Sequence, residues 1–287
     1  MALRVAERFG GEIVNCDSLQ LYRGFDIGTA KTPASERLGV PHHLFDVLEP
    51  IQGFSAGEYA RSAREVVRQI SARGHLPVVA GGTGFYLRAL LHGLPALPER
   101  DEAIRGRLLQ RERRRPGSIH RLLRRLEPAA AARIHEHDVQ KLVRALEVRL
   151  LIRGPMPPQA EAEPLAGYRV LQIGLDPDRG ELYALLDART RKMFQTGLIE
   201  EVSRLLARGC TGVEKPFEAL GYKQAVQHLR GCMPIDEAIE STQIETRQYA
   251  KRQLTWFRRD LEIVWLSGFG DMPSVIEQCF DLVVKFR

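Results

Sequence analysis

Residues 1–20, MALRVAERFGGEIVNCDSLQ, hold a helix, its stop signal, a strand and a polar turn, in that order. Ala2, Leu3, Val5, Ala6 and Phe9 recur at helical spacing, and Gly10-Gly11 ends the helix, because glycine takes the left-handed conformation that closes a last turn. A strand is predicted from Glu12 to Cys16, running into Asp17-Ser18. The helix has no N-cap or first turn ahead of its apolar stripe, so the pattern implies a further element upstream of Met1.

The same alternation continues outward from this stretch. A Gly-punctuated loop covers Tyr22 to Lys31. Ser55-Ala56-Gly57-Glu58 reads as a capping box opening a helix with Tyr59, Ala63, Val66, Val67 and Ile70 on one side, and Gly74 ends it. Leu76 to Ala80 is wholly apolar, as in a strand buried on both faces of a parallel sheet. The turn Gly81-Gly82-Thr83-Gly84 then starts a helix at Phe85. Strand, helix, strand, turn, helix is the rhythm of a doubly wound α/β sheet, and Tyr168–Leu175 and Leu261–Leu266 can join it. Ligands in such sheets bind beyond the carboxyl ends of the strands, where Asp17 and Thr83 fall.

Residues 98–136 break the alternation and read as a helical insertion, leaving 1–97 and 137–287 as the α/β core. The chain of 287 residues carries a net charge of +6. Between Glu99 and Arg133 stand eleven arginines against five acidic residues, which accounts for the whole excess. That concentration suits a lobe that meets a polyanion, although a solvated Arg-rich helix face has the same composition. RGPMPPQAEAEPLAG, residues 153–167, reads as a mobile Pro-rich connector. No apolar run approaches the roughly 18 residues of a membrane span. The amino terminus lacks signal-peptide regions. Cys16, Cys210, Cys232 and Cys279 are scattered without a C-x-x-C pair, which points to reduced thiols, a cytoplasmic setting and no structural zinc.

Three stretches carry chemistry. In NCDSLQLYRGFDIGTAK (15–31), Asp17, Ser18 and Gln20 place a carboxylate, a hydroxyl and an amide at a strand end, an arrangement that also serves as a plain turn. In VVAGGTGFY (78–86), the glycines would let a backbone approach a phosphate, and the following helix offers free N–H groups to an anion; a tight strand-to-helix turn needs the same glycines. In IETRQYAKRQLTWFRRD (244–260), Ala250, Leu254, Phe257 and Leu261 form an apolar stripe beside a line of Arg247, Lys251, Thr255 and Arg258. Cations interleaved with Gln, Thr and Trp suit a nucleic-acid backbone and a stacked base, as well as a solvated face. His135 and His137 lack a third ligand at metal spacing, and His42-His43 is no stronger.

In order, NCDSLQLYRGFDIGTAK, VPHHLFDV, GGTGFYLRALLHG, AARIHEHDVQKLVRALEV, FEALGYKQ and TRQYAKRQLTWFRR resemble the bacterial tRNA dimethylallyltransferases along nearly the whole chain. The resemblance implies a P-loop-kinase-like α/β fold and transfer of a dimethylallyl group from dimethylallyl diphosphate to N6 of adenine 37 of tRNA, with Mg²⁺; a monomer is expected because no extra apolar face is apparent in the sequence. It implies that Asp17 is the general base and that Thr83 and Arg189 serve the reacting groups, with Gly81, Gly82, Thr83 and Arg189 on the diphosphate. The adenine would be flipped out of its stack to react. For tRNA it points to Asp17, Ser18, Leu19, Gln20, Thr83, Arg105, Gln140, Lys141, Leu142, Val143, Arg144, Glu218, Ala219, Leu220, Gly221, Tyr222 and Lys223. From the last motif it adds Arg247, Lys251, Arg252, Gln253, Trp256 and Arg258, within the stretch Lys251–Arg259.

The chain departs from that family at its start. Members begin with a strand and a phosphate-binding loop G-x-x-x-x-G-K-[ST], a motif not found in these 287 residues. The expectation is therefore a start placed too late, in preference to a shortened version or an inactive paralogue, with a weakened diphosphate grip. Two other readings are a tRNA-binding pseudoenzyme and an adenylate isopentenyltransferase acting on a free nucleotide. A generic P-loop kinase fits least.

Overall fold

The computed structural model describes residues 1–95, 97–152 and 163–287. The chain forms two compact units, one from residues 1–91 and 165–287, the other from residues 92–164. Most of the Pro-rich connector, residues 153–162, lies outside the described residues.

The first unit is built as the opening stretch predicts. Helix α1 (Ala2–Phe9) ends at Gly10, which is left-handed at φ 65°. Strand β1 (Gly11–Asn15) is buried throughout. It pairs in parallel with the short β2 (His42–His43) on one side and β3 (Leu76–Ala80) on the other. Helix α2 (Ala56–Ala72) starts at the expected capping box, Ser55 and Glu58 exchanging hydrogen bonds with each other's backbone N–H. Helix α3 (Gly84–His92) follows β3.

The remaining strands behave differently from the single sheet expected. β4 (Gln172–Leu175) and β5 (Ile263–Leu266) do not extend β2-β1-β3 but form their own parallel pair. The α/β class with parallel strands stands; the sheet is in two pieces. β3 is correspondingly not the fully buried strand its apolar run implies, for every residue of it is partly exposed. It hydrogen-bonds β1 along one edge and no other strand among the described residues. Apolar packing bridges what the ladders do not: Val5 and Phe9 of α1, Leu76 and Val78 of β3 and Leu171, Ile173 and Leu175 around β4 meet Val275, Cys279 and Val283 of α12 (Pro273–Phe286) in one cluster.

A carboxylate is buried at the start of β1. Glu12 accepts from Arg73 Nη2 at 2.8 Å and meets His43 Nε2 and His75 Nδ1 at 2.6 Å each, so one side chain ties β2 and the approach to β3 onto β1. Burial would raise its pKa, but the hydrogen bonds from Arg73, then His43 and His75, outweigh that and hold it at about 2. A lowered carboxyl pKa contributes stability above the unfolded value and loses it as pH falls through the folded one. A shift of this size is worth about 3 kcal/mol. Urea midpoints should therefore fall between pH 4.5 and about 2 in the wild type, and fall less in Glu12→Gln; equal acid slopes for the two would rule the clamp out.

Among its described residues the second unit has only helices as regular elements: α4 (Glu102–Arg114), α5 (Ser118–Leu126), α6 (Pro128–Arg133) and α7 (Val139–Ile152). It runs beyond the insertion expected at 98–136. The reason is packing: Leu142, Val143, Ala145 and Leu146 of α7 share one apolar core with Leu108, Ile119, Leu123, Ala130 and Ala131, and cannot be assigned to the α/β core.

Candidate active site

The carboxyl ends of β1 and β3 are latched together. Cys16 N–H donates to Ala80 O, Thr83 N–H donates to Cys16 O, and Ser18 N–H donates to Thr83 Oγ1 at 3.0 Å. Buried Asn15 shapes the turn: its Nδ2 donates to Asp17 O and Leu44 O, and its Oδ1 accepts from Asp17 N–H. Asp17 Oδ1 accepts from Leu19 N–H at 2.8 Å and Gln20 N–H at 3.4 Å. The turn reading of Asp17 is thus correct for one carboxylate oxygen. The other, Oδ2, has no hydrogen bond among the described residues, and Asp17 is only half-buried.

The glycine turn after β3 meets protein where its side chains would stand. A Cβ on Gly81 would sit 2.3 Å from the backbone of Cys16, one on Gly82 2.0 Å from Gln253 Nε2, and one on Gly84 2.3 Å from Trp256 Nε1. Gln253 Nε2 also donates to Gly82 O at 2.8 Å. The glycines let β1 and the long helix α11 (Ile235–Phe257) close on the positions where side chains would stand, while Gly81 itself stays exposed. Thr83 remains as the side chain that this turn offers.

Opposite Asp17 stands α8 (Arg179–Gln195), carrying Arg189. Shielding from water lowers the Arg189 guanidinium pKa and the Asp17 carboxylate opposes that fall, although part of the side chain is open to solvent. Tyr249 of α11 also feels Asp17: burial raises its pKa first, the carboxylate second. α8 is held to α11 by Arg247, whose Nη1 donates to both carboxylate oxygens of Asp187 at 2.6 and 2.7 Å, two residues before Arg189. Behind Asp17, burial pushes the Cys16 thiol up to about 11, so it stays protonated against the stacked rings of Tyr59 and Tyr86.

The residues that the resemblance gave to RNA divide into two groups. Lys251, Arg252, Thr255, Trp256 and Arg259, joined by Gln248, line an open groove of about 440 Å³ on α11. Arg258 instead donates to both oxygens of Asp176. In FEALGYKQ, Glu218 pairs with Lys215, and Lys223 lies 3.8 Å from Glu245. Tyr222 is wholly buried. Its hydroxyl donates to Glu201 of α9 (Leu198–Ala207) at 2.5 Å and accepts from Gly28 N–H. Glu201 accepts in addition from Asp26 and Ile27 N–H, so this pair shapes the loop after Asp17 from within.

In the helical unit, Arg105 and Arg144 both reach Glu147, a carboxylate with no exposed surface that also accepts from Asp101 N–H. Gln140 accepts from Arg105, Lys141 pairs with Asp138, and Leu142 and Val143 are core. Sequence reading missed Asn15, Glu201, Tyr249 and Gln248. Only Glu201 left a signal, an acid on the apolar face of Leu198, Val202 and Leu205.

No group of three or more His, Cys, Asp or Glu able to hold a metal occurs among the described residues. Mg²⁺ asks for less, since it keeps waters and takes phosphate oxygens with one or two protein oxygens. The Ser18 and Thr83 hydroxyls, 3.4 Å apart at the latch, fit that need.

The IPP transferase family model matches residues 20–260. A tRNA dimethylallyltransferase of Solibacter usitatus is 57% identical over 288 residues, covering all of this chain and 94% of the relative. A crystal structure of the full-length tRNA isopentenylpyrophosphate transferase from Bacillus halodurans superposes with a TM-score of 0.72 at 34% identity, over 99% of this chain and 90% of that one. A eukaryotic dimethylallyltransferase acting on tRNA shares the fold, with a TM-score of 0.78 at 22% identity over 100% of this chain and 76% of that one.

Proposed function

Because the chain belongs to the IPP transferase family, we propose that it transfers a dimethylallyl group from dimethylallyl diphosphate to N6 of adenine 37 in tRNA. The observation that carries this reading is the latch: it sets a half-buried carboxylate with one free oxygen beside the Ser18 and Thr83 hydroxyls and in the field of Arg189. An exocyclic purine amine is a poor nucleophile. Asp17 takes its proton as the C–N bond forms, while the C–O bond to the diphosphate breaks and the electron pair leaves with the diphosphate. A positioned base of this kind contributes roughly 10²–10⁴-fold.

Arg189 balances charge that grows on the leaving group, and the Thr83 hydroxyl donates to it. The Ser18 and Thr83 hydroxyls would hold Mg²⁺, which would supply further neutralisation of the leaving group when bound. The α11 groove takes the RNA, with Lys251, Arg252 and Arg259 for phosphates and Trp256, which is 42% exposed, as a stacking face. Tyr222, Leu142 and Val143 act from within the protein, since none has surface to offer. Support for a cytoplasmic setting comes from four free cysteines. No helix among the described residues is long and apolar enough to cross a membrane.

The test is incubation of the chain with labelled dimethylallyl diphosphate, Mg²⁺ and unmodified tRNA, with AMP as a parallel acceptor. Label in tRNA, lost when adenine 37 is replaced, is the expected result. Label in AMP alone, or tRNA binding without transfer, overturns it.

A further inference from the structure

Arg247 is one of the cations that the resemblance gave to RNA, yet its charge is turned into the protein. Its Nη1 donates to both carboxylate oxygens of Asp187 at 2.6 and 2.7 Å, and the two side chains are 31% and 25% exposed. Gln243 stands four residues earlier, on the same face of α11, and is buried. Its Nε2 donates to the Asp187 backbone carbonyl at 3.1 Å. Side chain and backbone of one residue are thus gripped from one helix face.

For α8 these bonds are not one tie among many. Among the described residues, every hydrogen bond that reaches α8 from another helix or strand ends on Asp187. Apolar packing adds little: the 17 residues of α8 bury only Thr190 and Phe194, whereas the 10 residues of α9 bury Leu198, Glu201, Val202 and Leu205. Arg189 lies two residues past Asp187, about 200° further round the helix axis. Asp187 therefore meets α11 while Arg189 projects from the other side, and fixing the first fixes the rotation that aims the second. Arg189 makes no hydrogen bond or ion pair of its own among the described residues, so its place follows from the backbone that carries it. The same helix α11 grips the glycine turn, where Gln253 Nε2 donates to the carbonyl of Gly82, next to Thr83. One element thus spaces the two groups assigned to the diphosphate.

We infer that Arg247 is a positioning residue for the transfer step: with Asp187 and Gln243 it fixes the rotation of α8, and so sets the Arg189 guanidinium against Asp17 and Thr83, instead of binding RNA phosphate. The inference rests on the transfer reading above. A long side chain magnifies any turn of its helix, and a misplacement of about 1 Å can cost about 100-fold in rate.

The experiment is a double-mutant cycle on the full chain, read by single-turnover label transfer at saturating tRNA and dimethylallyl diphosphate. Arg247→Gln should slow transfer by about 10–100-fold, and Arg189→Gln by at least as much. Once that guanidinium is gone Arg247 has nothing left to place, so the double variant should stay within about threefold of Arg189→Gln. Losses that multiply overturn the inference. Binding of tRNA should keep its wild-type salt dependence; a slope of log affinity against log salt smaller by roughly 0.7–0.9, the mark of one lost phosphate contact, overturns it too. Because a single nitrogen serves both Asp187 oxygens, Arg247→Lys should recover most of the rate. Asp187→Asn, which keeps the side-chain shape, carries the same cycle if Arg247→Gln does not fold. Amide hydrogen exchange needs no turnover: α8 should exchange about tenfold faster in Arg247→Gln, with α9 unchanged. Faster exchange in α8 while the wild type transfers no label would remove the catalytic reading and leave the clamp standing. Wild-type transfer with unchanged exchange, or with losses that multiply, would do the reverse.

Discussion

Asp17→Asn is expected to lower kcat/KM for transfer to tRNA by roughly 10²–10⁴-fold, or about 3–5 kcal/mol, with tRNA affinity within about twofold of wild type. The substitution is chosen because it spares the structure. Asn keeps an Oδ1 to accept from Leu19 and Gln20 N–H, and Asn15 binds only the backbone of residue 17. What it removes is a basic oxygen. The loss should appear in single-turnover transfer at saturating tRNA, since it belongs to the chemical step. A variant that retains a tenth or more of wild-type kcat/KM would take the proton-accepting role away from Asp17.

Glu201→Ala should be among the most destabilising single changes in the first unit. It strips the acceptor from three donors at once, Tyr222 Oη–H, Asp26 N–H and Ile27 N–H. Tyr222 has no exposed surface, so its hydroxyl loses its acceptor inside the protein. A buried donor left unsatisfied costs about 1–3 kcal/mol; the Tyr222 hydroxyl is one, the Asp26 and Ile27 N–H groups are only part-buried, and about 3 kcal/mol is expected in total. Tm should fall by roughly 6–12 °C, at about 2–4 °C per kcal/mol for a chain of this size. Glu201→Gln, which keeps an acceptor, should recover much of that. If Glu201→Ala melts within about 2 °C of wild type, the loop after Asp17 is not held from α9.

Local signals were legible in the sequence and non-local ones were not. The helix stop at Gly10, the capping box at Ser55 and the strand into Asp17 depend on residues a few positions apart, and each stands where the pattern put it. The split between β2-β1-β3 and β4-β5 depends on which edges find partners, which no periodicity encodes. The glycines of residues 81–84 show the same limit. Their need for bare backbone was plain, but that Gln253 and Trp256 stand against Gly82 and Gly84 was decided some 170 residues away. Charges were hardest to assign. Arg247 and Lys251 share a helix line, yet one is locked to Asp187 and the other lines an open groove.

That distance has a consequence for how the enzyme comes into being. Asp17, Ser18 and Thr83 meet across 65 residues, so the latch can close while much of the chain is still unmade. The contact of Gln253 with Gly82 spans 171 residues. At about 5–20 residues per second, a ribosome needs roughly 10–30 s to pass from one to the other. Through that interval the glycine turn lacks the contacts of Gln253 and Trp256, and so does any product of a message cut short before residue 253.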